Sequence, residues 1–154
     1  MPATECYDHQ HHHVDVLVVG AGANGLLATL LAGRSGLNVL LVDDQTELGG
    51  YLLAMPKLLI GGKNAIEWRD EIIAELHSLP NVTMLTRTTA FALHDMNMIQ
   101  AVELLQDHLP HKLRKPEQRR ERLHRIRANK VVLATGAFER PLVFGNNDLP
   151  GIMT

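Results

Sequence analysis

The sequence has a single cysteine and no long apolar run, and both features narrow its possible functions. Cys6 is the one cysteine among 154 residues, so the chain can form no internal disulfide and has no Cys-x-x-Cys pair for redox chemistry or an iron–sulfur cluster. No apolar stretch is long enough to span a bilayer. The formal net charge of -2 gives no bulk attraction to nucleic acid or to an anionic membrane.

The amino terminus lacks the features of an export signal. Residues 1–13 have neither the basic nor the apolar region of a signal peptide, so we expect a cytoplasmic protein that begins with a flexible segment over 1–13. The remainder, 14–154, has the usual size of one domain, and the 45% hydrophobic content of the whole chain is sufficient for a sizeable core.

Two polar clusters suggest binding sites that the surrounding sequence does not support. Four histidines could bind a metal, but consecutive histidines fan out in an extended chain and no carboxylate is spaced to complete a site, so we expect no specific metal site. Nine of the fifteen lysines and arginines lie within 112–130, but no aromatic residue is interleaved for base stacking. A solvated sheet face or a contact between subunits is the better interpretation. The four histidines are His9, His11, His12 and His13.

The region 14–44 contains the parts of a phosphate-binding β-α-β unit in order. The apolar run 16–19 leads into the motif Gly20-x-Gly22-x-x-Gly25, and a helix-like segment follows. The first glycine allows a tight turn off the strand, and the second lets the backbone approach a pyrophosphate. The third lets the helix pack closely against the strand.

The start of the predicted helix offers phosphate-binding groups from its backbone. A helix that begins near Asn24, after Ala23, directs unpaired N–H groups and the positive end of its dipole at the phosphates. This mode of binding needs no basic side chain. Lysine and arginine are indeed absent from the turn.

A second apolar run, 39–42, ends on Asp43 and Asp44. Seventeen residues separate Gly25 from Asp43, which places a carboxylate at the carboxyl end of the second strand. There it can accept hydrogen bonds from a ribose diol and would repel a ribose 2′-phosphate. The glycine motif alone could be a chance turn, but with the strand, the helix and the acid it predicts a dinucleotide site.

The chain after this unit predicts a long loop, a second helix and several strands. Leu48-Gly49-Gly50 begins the loop, and we expect Gly49 and Gly50 to be cofactor-binding residues. Asn64 with Glu67 predicts a capped helix that Pro80 stops. A short parallel strand, three antiparallel strands and a final buried strand follow. Their predicted ranges are 82–85, then 88–93, 98–105 and 122–127, and finally 130–133.

These elements predict an α/β fold, a Rossmann-like β-α-β-α-β unit with an inserted antiparallel three-stranded β-meander at about 88–127. Together with a last strand that ends in Ala134-Thr135-Gly136, this order resembles the two-dinucleotide-binding-domain flavoprotein superfamily. The resemblance implies an FAD/NAD(P)-binding domain in which Thr135 and Gly136 pass close to the bound dinucleotide. Glu139-Arg140, further along, could line the cofactor cleft or form an exposed ion pair.

A narrower resemblance extends over nearly the whole chain. It is carried by the segments YDH, DVLVVGAG, LLVDDQTELGG, LTRTTAF, HDMN and RIRANKVVLATGAFERPLVFGNNDLPGIM. These segments resemble the alpha subunit of heterotetrameric sarcosine oxidase and its amine- and opine-oxidising relatives. That subunit is several times longer and the resemblance continues to Thr154, so we expect a fragment that contains an incomplete domain.

The resemblance implies one dinucleotide, NAD or FAD, and partner subunits. Alpha subunits of sarcosine oxidase hold NAD in this fold, which favours NAD, while some relatives hold FAD here. The beta subunit carries FAD, and a covalent FMN lies at the interface. The family commonly has Pro-Ala where this chain has Ala23-Asn24. The polar side chain of Asn24 could bond a phosphate or crowd it.

No catalytic acid, base or nucleophile can be assigned, because no Ser-His-Asp or Cys-His arrangement is evident. We therefore expect a dinucleotide-binding segment of an oxidoreductase, inactive alone, that supports oxidation of a secondary amine on a partner's flavin. The alternative is a noncatalytic structural or assembly module with an empty or incomplete nucleotide pocket. Nucleotide bound after purification would separate the two.

Overall fold

The computed structural model describes residues 6–55, 57–115, 118–137 and 143–146. Two helices and a six-stranded sheet form the bulk of this part, and a two-stranded hairpin lies beside them. The helices are α1 (Ala23–Arg34) and α2 (Ala65–Ser78). The strands are β1 (Cys6–Val19), β2 (Val39–Val42), β3 (Leu59–Ile60), β4 (Lys63–Asn64), β5 (Val82–Leu85), β6 (Thr88–His94), β7 (Met98–Leu104) and β8 (Arg119–Leu133).

The main sheet has a parallel half and an antiparallel half, as the predicted fold class requires. The strand order is β5-β2-β1-β8-β7-β6, in which β5, β2, β1 and β8 are parallel and β8, β7 and β6 are antiparallel. Val19 pairs with Val42 and with Leu133, and Val42 pairs with Leu85. The four parallel strands therefore end at one edge of the sheet, where α/β folds bind their ligands.

The core lies on both faces of the parallel strands. On one face, Val16 and Val18 of β1 pack with residues of both helices, including Leu26 and Leu76. On the other face, Leu17 packs with residues of β2, β7 and β8. A strand that is covered on both faces needs a continuous apolar run, and the runs that predicted β1 and β2 have this property.

The second helix begins and ends where its flanking residues predict. Asn64 is the N-cap of α2, and its side-chain oxygen accepts a hydrogen bond from the backbone N–H of Ile66 at 2.9 Å. The helix ends at Ser78, two residues before Pro80, which disfavours helical backbone in the residue before it. The two helices are joined by a bidentate ion pair between Arg34 and Glu75, with distances of 2.6 and 2.7 Å.

The first and last strands are longer than their apolar runs predict. Residues 6–13, expected to be flexible, belong to β1, because β8 pairs with them from Tyr7 opposite Glu121 to Val14 opposite Ala128. The predicted strands 122–127 and 130–133 are likewise one continuous strand. Residues 6–13 of β1 are mostly polar, so the backbone ladder and ion pairs from Asp8 to Arg119 and Arg122 hold them in the sheet. The matching part of β8 adds Ile126 and Ala128 to the core.

The loop predicted after Gly50 also contains regular structure, namely a 3-10 turn at Gly50–Ala54 and the β3-β4 hairpin. None of the helices in the described ranges is long and apolar enough to cross a membrane.

Candidate dinucleotide site

The carboxyl edge of the parallel strands brings three chain segments together around Gly20. The Gly20 N–H donates to the carbonyl of Val42 at 2.8 Å, and the Ala134 N–H donates to the carbonyl of Val19 at 2.8 Å. Gly20 has a φ of +98°, and a Cβ there would lie 2.4 Å from the Ala134 carbonyl oxygen. Glycine is therefore required by both the backbone conformation and the close passage of the chain leaving β8.

Gly25 is required by the packing of α1 against this turn. A Cβ at Gly25 would lie 1.8 Å from the carbonyl oxygen of Gly20. One turn along the helix, the Thr29 hydroxyl donates to the Gly25 carbonyl at 2.8 Å. The first and third glycines of the motif thus serve contacts within the protein.

Gly22 differs from its two neighbours in the motif, because nothing in the described part of the chain requires a glycine there. Its φ of -69° and ψ of -175° suit any residue, and a Cβ would meet no atom within 4 Å. Open space therefore lies beside the backbone at the one glycine that the motif assigns to pyrophosphate contact.

The start of α1 borders this space. Gly22 is the N-cap of α1, no side chain caps the helix, and no acidic residue lies in its first turn. The first helical hydrogen bond is from the Leu26 N–H to the Gly22 carbonyl at 2.9 Å. The N–H groups of Ala23, Asn24 and Gly25 precede it and have no acceptor within the helix. Together with the open space, this arrangement fits an anionic group such as a pyrophosphate.

Asp43 is buried, with 7% exposure, and its carboxylate connects the end of β2 to the turn after β1. One oxygen accepts from the backbone N–H of Ala21 at 2.5 Å, and the other accepts from the backbone N–H of Gln45 at 2.9 Å. A carboxylate oxygen has two lone pairs, so each can accept one further hydrogen bond. Asp44 is exposed and accepts from the side-chain amide of Gln45 at 2.9 Å.

Gly49 and Gly50 form one wall of the open space. The Gly49 N–H donates to the Ala21 carbonyl at 2.9 Å. A Cβ at Gly50, whose φ is +52°, would lie 3.2 Å from the Cα of Gly22. The turn predicted to begin a loop therefore packs directly on the glycine motif, and a larger side chain there would push the two turns apart.

Arg69 of α2 supports this turn, a role that the sequence did not reveal. Its side chain is 12% exposed and forms ion pairs with Glu47 and Asp70, both at 2.7 Å. A Cβ at Gly49 would lie 2.7 Å from the Cδ of Arg69. No spacing rule links a helix residue to a turn twenty positions earlier, so only the packing of α2 identifies it.

Thr135 and Gly136 follow Ala134 directly and lie at the same edge. Both are exposed, and Gly136 has a φ of +75° with open space on the side where a Cβ would project. They are thus close in sequence to the contact between Ala134 and Gly20. Glu139 and Arg140 lie outside the described residues.

Within the described residues, one histidine of the cluster and four arginines of the basic stretch contact other side chains. No group of three or more His, Cys, Asp or Glu residues there is arranged to hold a metal ion. His12 contacts His124 at 2.8 Å, and His124 contacts Glu103 at 3.0 Å. Four arginines of the stretch 112–130 form ion pairs with Asp8 or Asp107; they are Arg114, Arg119, Arg120 and Arg122.

The sequence profile of the pyridine nucleotide-disulphide oxidoreductase family matches residues 14–153. This range includes every residue of the edge described above. An L-proline dehydrogenase from P. horikoshii has a similar structure, with a TM-score of 0.72 and 26% sequence identity, over 94% of this chain and 27% of that chain. The parallel sheet and its glycine turn are therefore those of a known oxidoreductase family.

Two curated relatives show which oxidoreductases the sequence is similar to. The alpha subunit of sarcosine oxidase from Corynebacterium sp. (strain P-1) is 50% identical over 147 residues, covering 96% of this chain and 15% of the relative. An opine oxidase subunit from Agrobacterium tumefaciens (strain Ach5) is 31% identical over 146 residues, covering 91% of this chain and 27% of the relative. The chain thus spans a small part of the length of each, and both relatives are subunits.

Proposed function

This chain belongs to the pyridine nucleotide-disulphide oxidoreductase family, and from that premise we propose that it binds one dinucleotide, NAD or FAD, at the carboxyl edge of its parallel strands. The observation that carries the proposal is the open space beside Gly22, at the uncapped start of α1. Gly20 and Gly25 are explained by packing. A ligand that needs close approach to the backbone would account for the absence of a side chain at Gly22.

In this proposal the pyrophosphate is bound by backbone N–H groups at the start of α1, contributed by Ala23, Asn24 and Gly25. These dipoles are fixed before the ligand arrives, so binding requires little reorganisation of the protein. The Asn24 side chain is exposed and is available as an additional donor to a phosphate oxygen.

The ribose next to the pyrophosphate is bound by Asp43. Two backbone N–H groups already hold this carboxylate in position, so its remaining lone pairs accept from the ribose hydroxyls without losing side-chain freedom. Asp44 adds negative charge nearby and disfavours a 2′-phosphate. The turn at Gly49 and Gly50 and the segment Thr135-Gly136 border the ligand on either side.

The wider role we propose is that of the dinucleotide-binding part of a sarcosine oxidase-like enzyme. A bound dinucleotide supplies a ring that carries two electrons, and the residues of this chain bind and orient it. In this proposal the chain holds NAD in preference to FAD, and a secondary amine is oxidised on a flavin of a partner, as the resemblance to the sarcosine oxidase alpha subunit implies. The principal partner in this proposal is a beta subunit.

Acid extraction of the purified chain tests this proposal. We expect the extract to contain NAD or FAD in a ratio that approaches one per chain, identified by chromatography and mass. The matched control is the Gly22→Val variant purified in parallel, which should release none. Two negative results together would favour the alternative of a noncatalytic module. Correctly folded protein would release neither nucleotide, and it would bind neither NAD nor FAD when incubated with them.

A further inference from the structure

Arg87 is a half-buried arginine at the proposed binding edge, and its side chain has no partner in the described part of the chain. It lies between β5 and β6, two residues after Leu85, where β5 ends. Its Nε is buried without a hydrogen-bond partner, and its guanidinium forms no ion pair with any described residue. A buried donor of this kind is unfavourable unless something outside these residues accepts from it.

The backbone of Arg87 is fixed against the segment that carries the proposed ribose acceptor. Its N–H donates to the Gln45 carbonyl at 2.9 Å, and the N–H of Thr88 donates to the Asp43 carbonyl at 2.8 Å. On the other side, the Arg87 carbonyl accepts from the Leu104 N–H at 3.0 Å. Arg87 also has a φ of +51°, which is uncommon outside glycine, so its backbone is held in place by its surroundings.

Asp43 and Asp44 belong to the segment that these backbone contacts hold against Arg87, but neither forms an ion pair with its guanidinium. The Asp43 carboxylate accepts from the backbone of Ala21 and Gln45, and the Asp44 carboxylate accepts from the side chain of Gln45. Among the described residues, therefore, no ion pair that serves the fold explains the cation. A bound ligand is an acceptor that would satisfy it.

The strand order indicates which part of a ligand would meet Arg87. A dinucleotide with its pyrophosphate at the end of β1 and its ribose at the end of β2 extends outward along the order β1-β2-β5. The next group after the ribose is the adenine, and the next strand end is that of β5, which Arg87 follows. The ADP portion is common to NAD and FAD, so this step does not depend on which of them is bound.

We propose that Arg87 is a binding residue for the adenine base of the dinucleotide, an inference that rests on the proposed function. A guanidinium is planar, stacks on aromatic faces and donates from a fixed fork, and adenine offers both a flat ring and acceptor nitrogens. The contact gives the unpaired cation a partner. It also adds a base-specific element to a site that otherwise recognises phosphate and ribose.

Calorimetric titration with ADP tests this proposal on the full chain. We expect Arg87→Met to weaken ADP, NAD and FAD by at least roughly tenfold each. The matched control is Arg127→Met, which removes an exposed arginine from the half of β8 that pairs with β7, and it should leave all three affinities unchanged. The melting temperature of ligand-free Arg87→Met should not fall, because the variant removes an unpaired cation. If Arg87 had a purely structural role, the same variant would lower the melting temperature.

Three outcomes would overturn the assignment of Arg87 alone, and a fourth would overturn the proposed function as well. Unchanged ADP affinity in Arg87→Met would do so, and so would an Arg87→Lys variant with full affinity, because charge alone would then suffice. A loss confined to NADP would assign Arg87 to a 2′-phosphate instead of the base. A parent chain that binds none of these nucleotides would refute the proposed function and this inference with it, whereas the first three outcomes leave the proposed function standing.

Discussion

Replacing Gly22 by valine should remove dinucleotide binding and leave the fold nearly intact. The added Cβ meets no protein atom within 4 Å, and the backbone there is in a region that valine adopts freely. The side chain would instead fill the space next to the first N–H groups of α1. A pyrophosphate would then lose its close approach to the backbone.

The two effects differ in size. Valine is a poorer N-cap than glycine by about 1 kcal/mol, and the loss of chain freedom in the unfolded state offsets about 0.4–1 kcal/mol of this. The net change in the free energy of unfolding is within about 1 kcal/mol, which corresponds to a shift in Tm of about 2–4 °C for a chain of this size. The affinity, by contrast, should fall at least roughly a hundredfold, or about 2.7 kcal/mol.

Calorimetry with NAD and FAD and thermal unfolding by circular dichroism measure these two quantities on the same samples. Gly25→Val is the control with the opposite pattern, because its Cβ would lie 1.8 Å from the Gly20 carbonyl oxygen and should lower the Tm markedly. If Gly22→Val binds either nucleotide as tightly as the parent, the open space beside Gly22 is not the pyrophosphate site.

Three further expectations concern ligand choice, activity and pH. Because Asp43 and Asp44 oppose a 2′-phosphate, NAD should bind at least roughly tenfold more tightly than NADP, a gap of about 1.4 kcal/mol, and equal affinities would refute that role. No residue of this chain is assigned to amine oxidation. Sarcosine added to the chain together with FAD, FMN and NAD should therefore give neither peroxide nor dye reduction. Amine-dependent dye reduction that persists after dialysis would show a self-sufficient enzyme. Burial, followed by the electrostatic effect of the adjacent His124, holds the pKa of His12 below its ordinary value of 6.5. Below about pH 6.5 the unfolded chain therefore binds a proton at His12 that the native state excludes. The free energy of unfolding should be highest above about pH 6.5 and should decrease as the pH drops below it. Urea midpoints at a series of pH values check this, and a His12→Gln variant should lose part of the slope.

The sequence was sufficient for the parts of the fold that depend on burial or on a local rule. The runs 16–19 and 39–42 are covered on both faces, and that condition produces a continuous apolar run. The glycine motif is similarly local, because a turn, a close approach and a helix start each require a particular residue at a fixed spacing. Asn64 predicts the start of α2 for the same reason.

The parts that were not predicted depend on contacts between distant segments. Residues 6–13 form strand because β8 pairs with them, and their polar side chains give no alternation that would indicate it. The support that Arg69 gives to the Gly49 turn depends on where α2 packs. Asp43 was predicted as a ribose acceptor, but its two bonds to backbone N–H groups follow from the distance between two loops, which no spacing specifies. Arg87 was missed for a related reason, since an unpaired cation is visible only when its surroundings are known.

The nucleotide predictions above all depend on binding of one dinucleotide at the edge formed by the ends of β1, β2 and β8. Titration of nucleotide-free protein with NAD and with FAD measures this binding, with circular dichroism confirming the native fold before each run. We expect saturable binding of at least one of the two at one site per chain, competed by ADP and absent in Gly22→Val. Natively folded protein that shows no binding of NAD, FAD or ADP at millimolar concentration would contradict it.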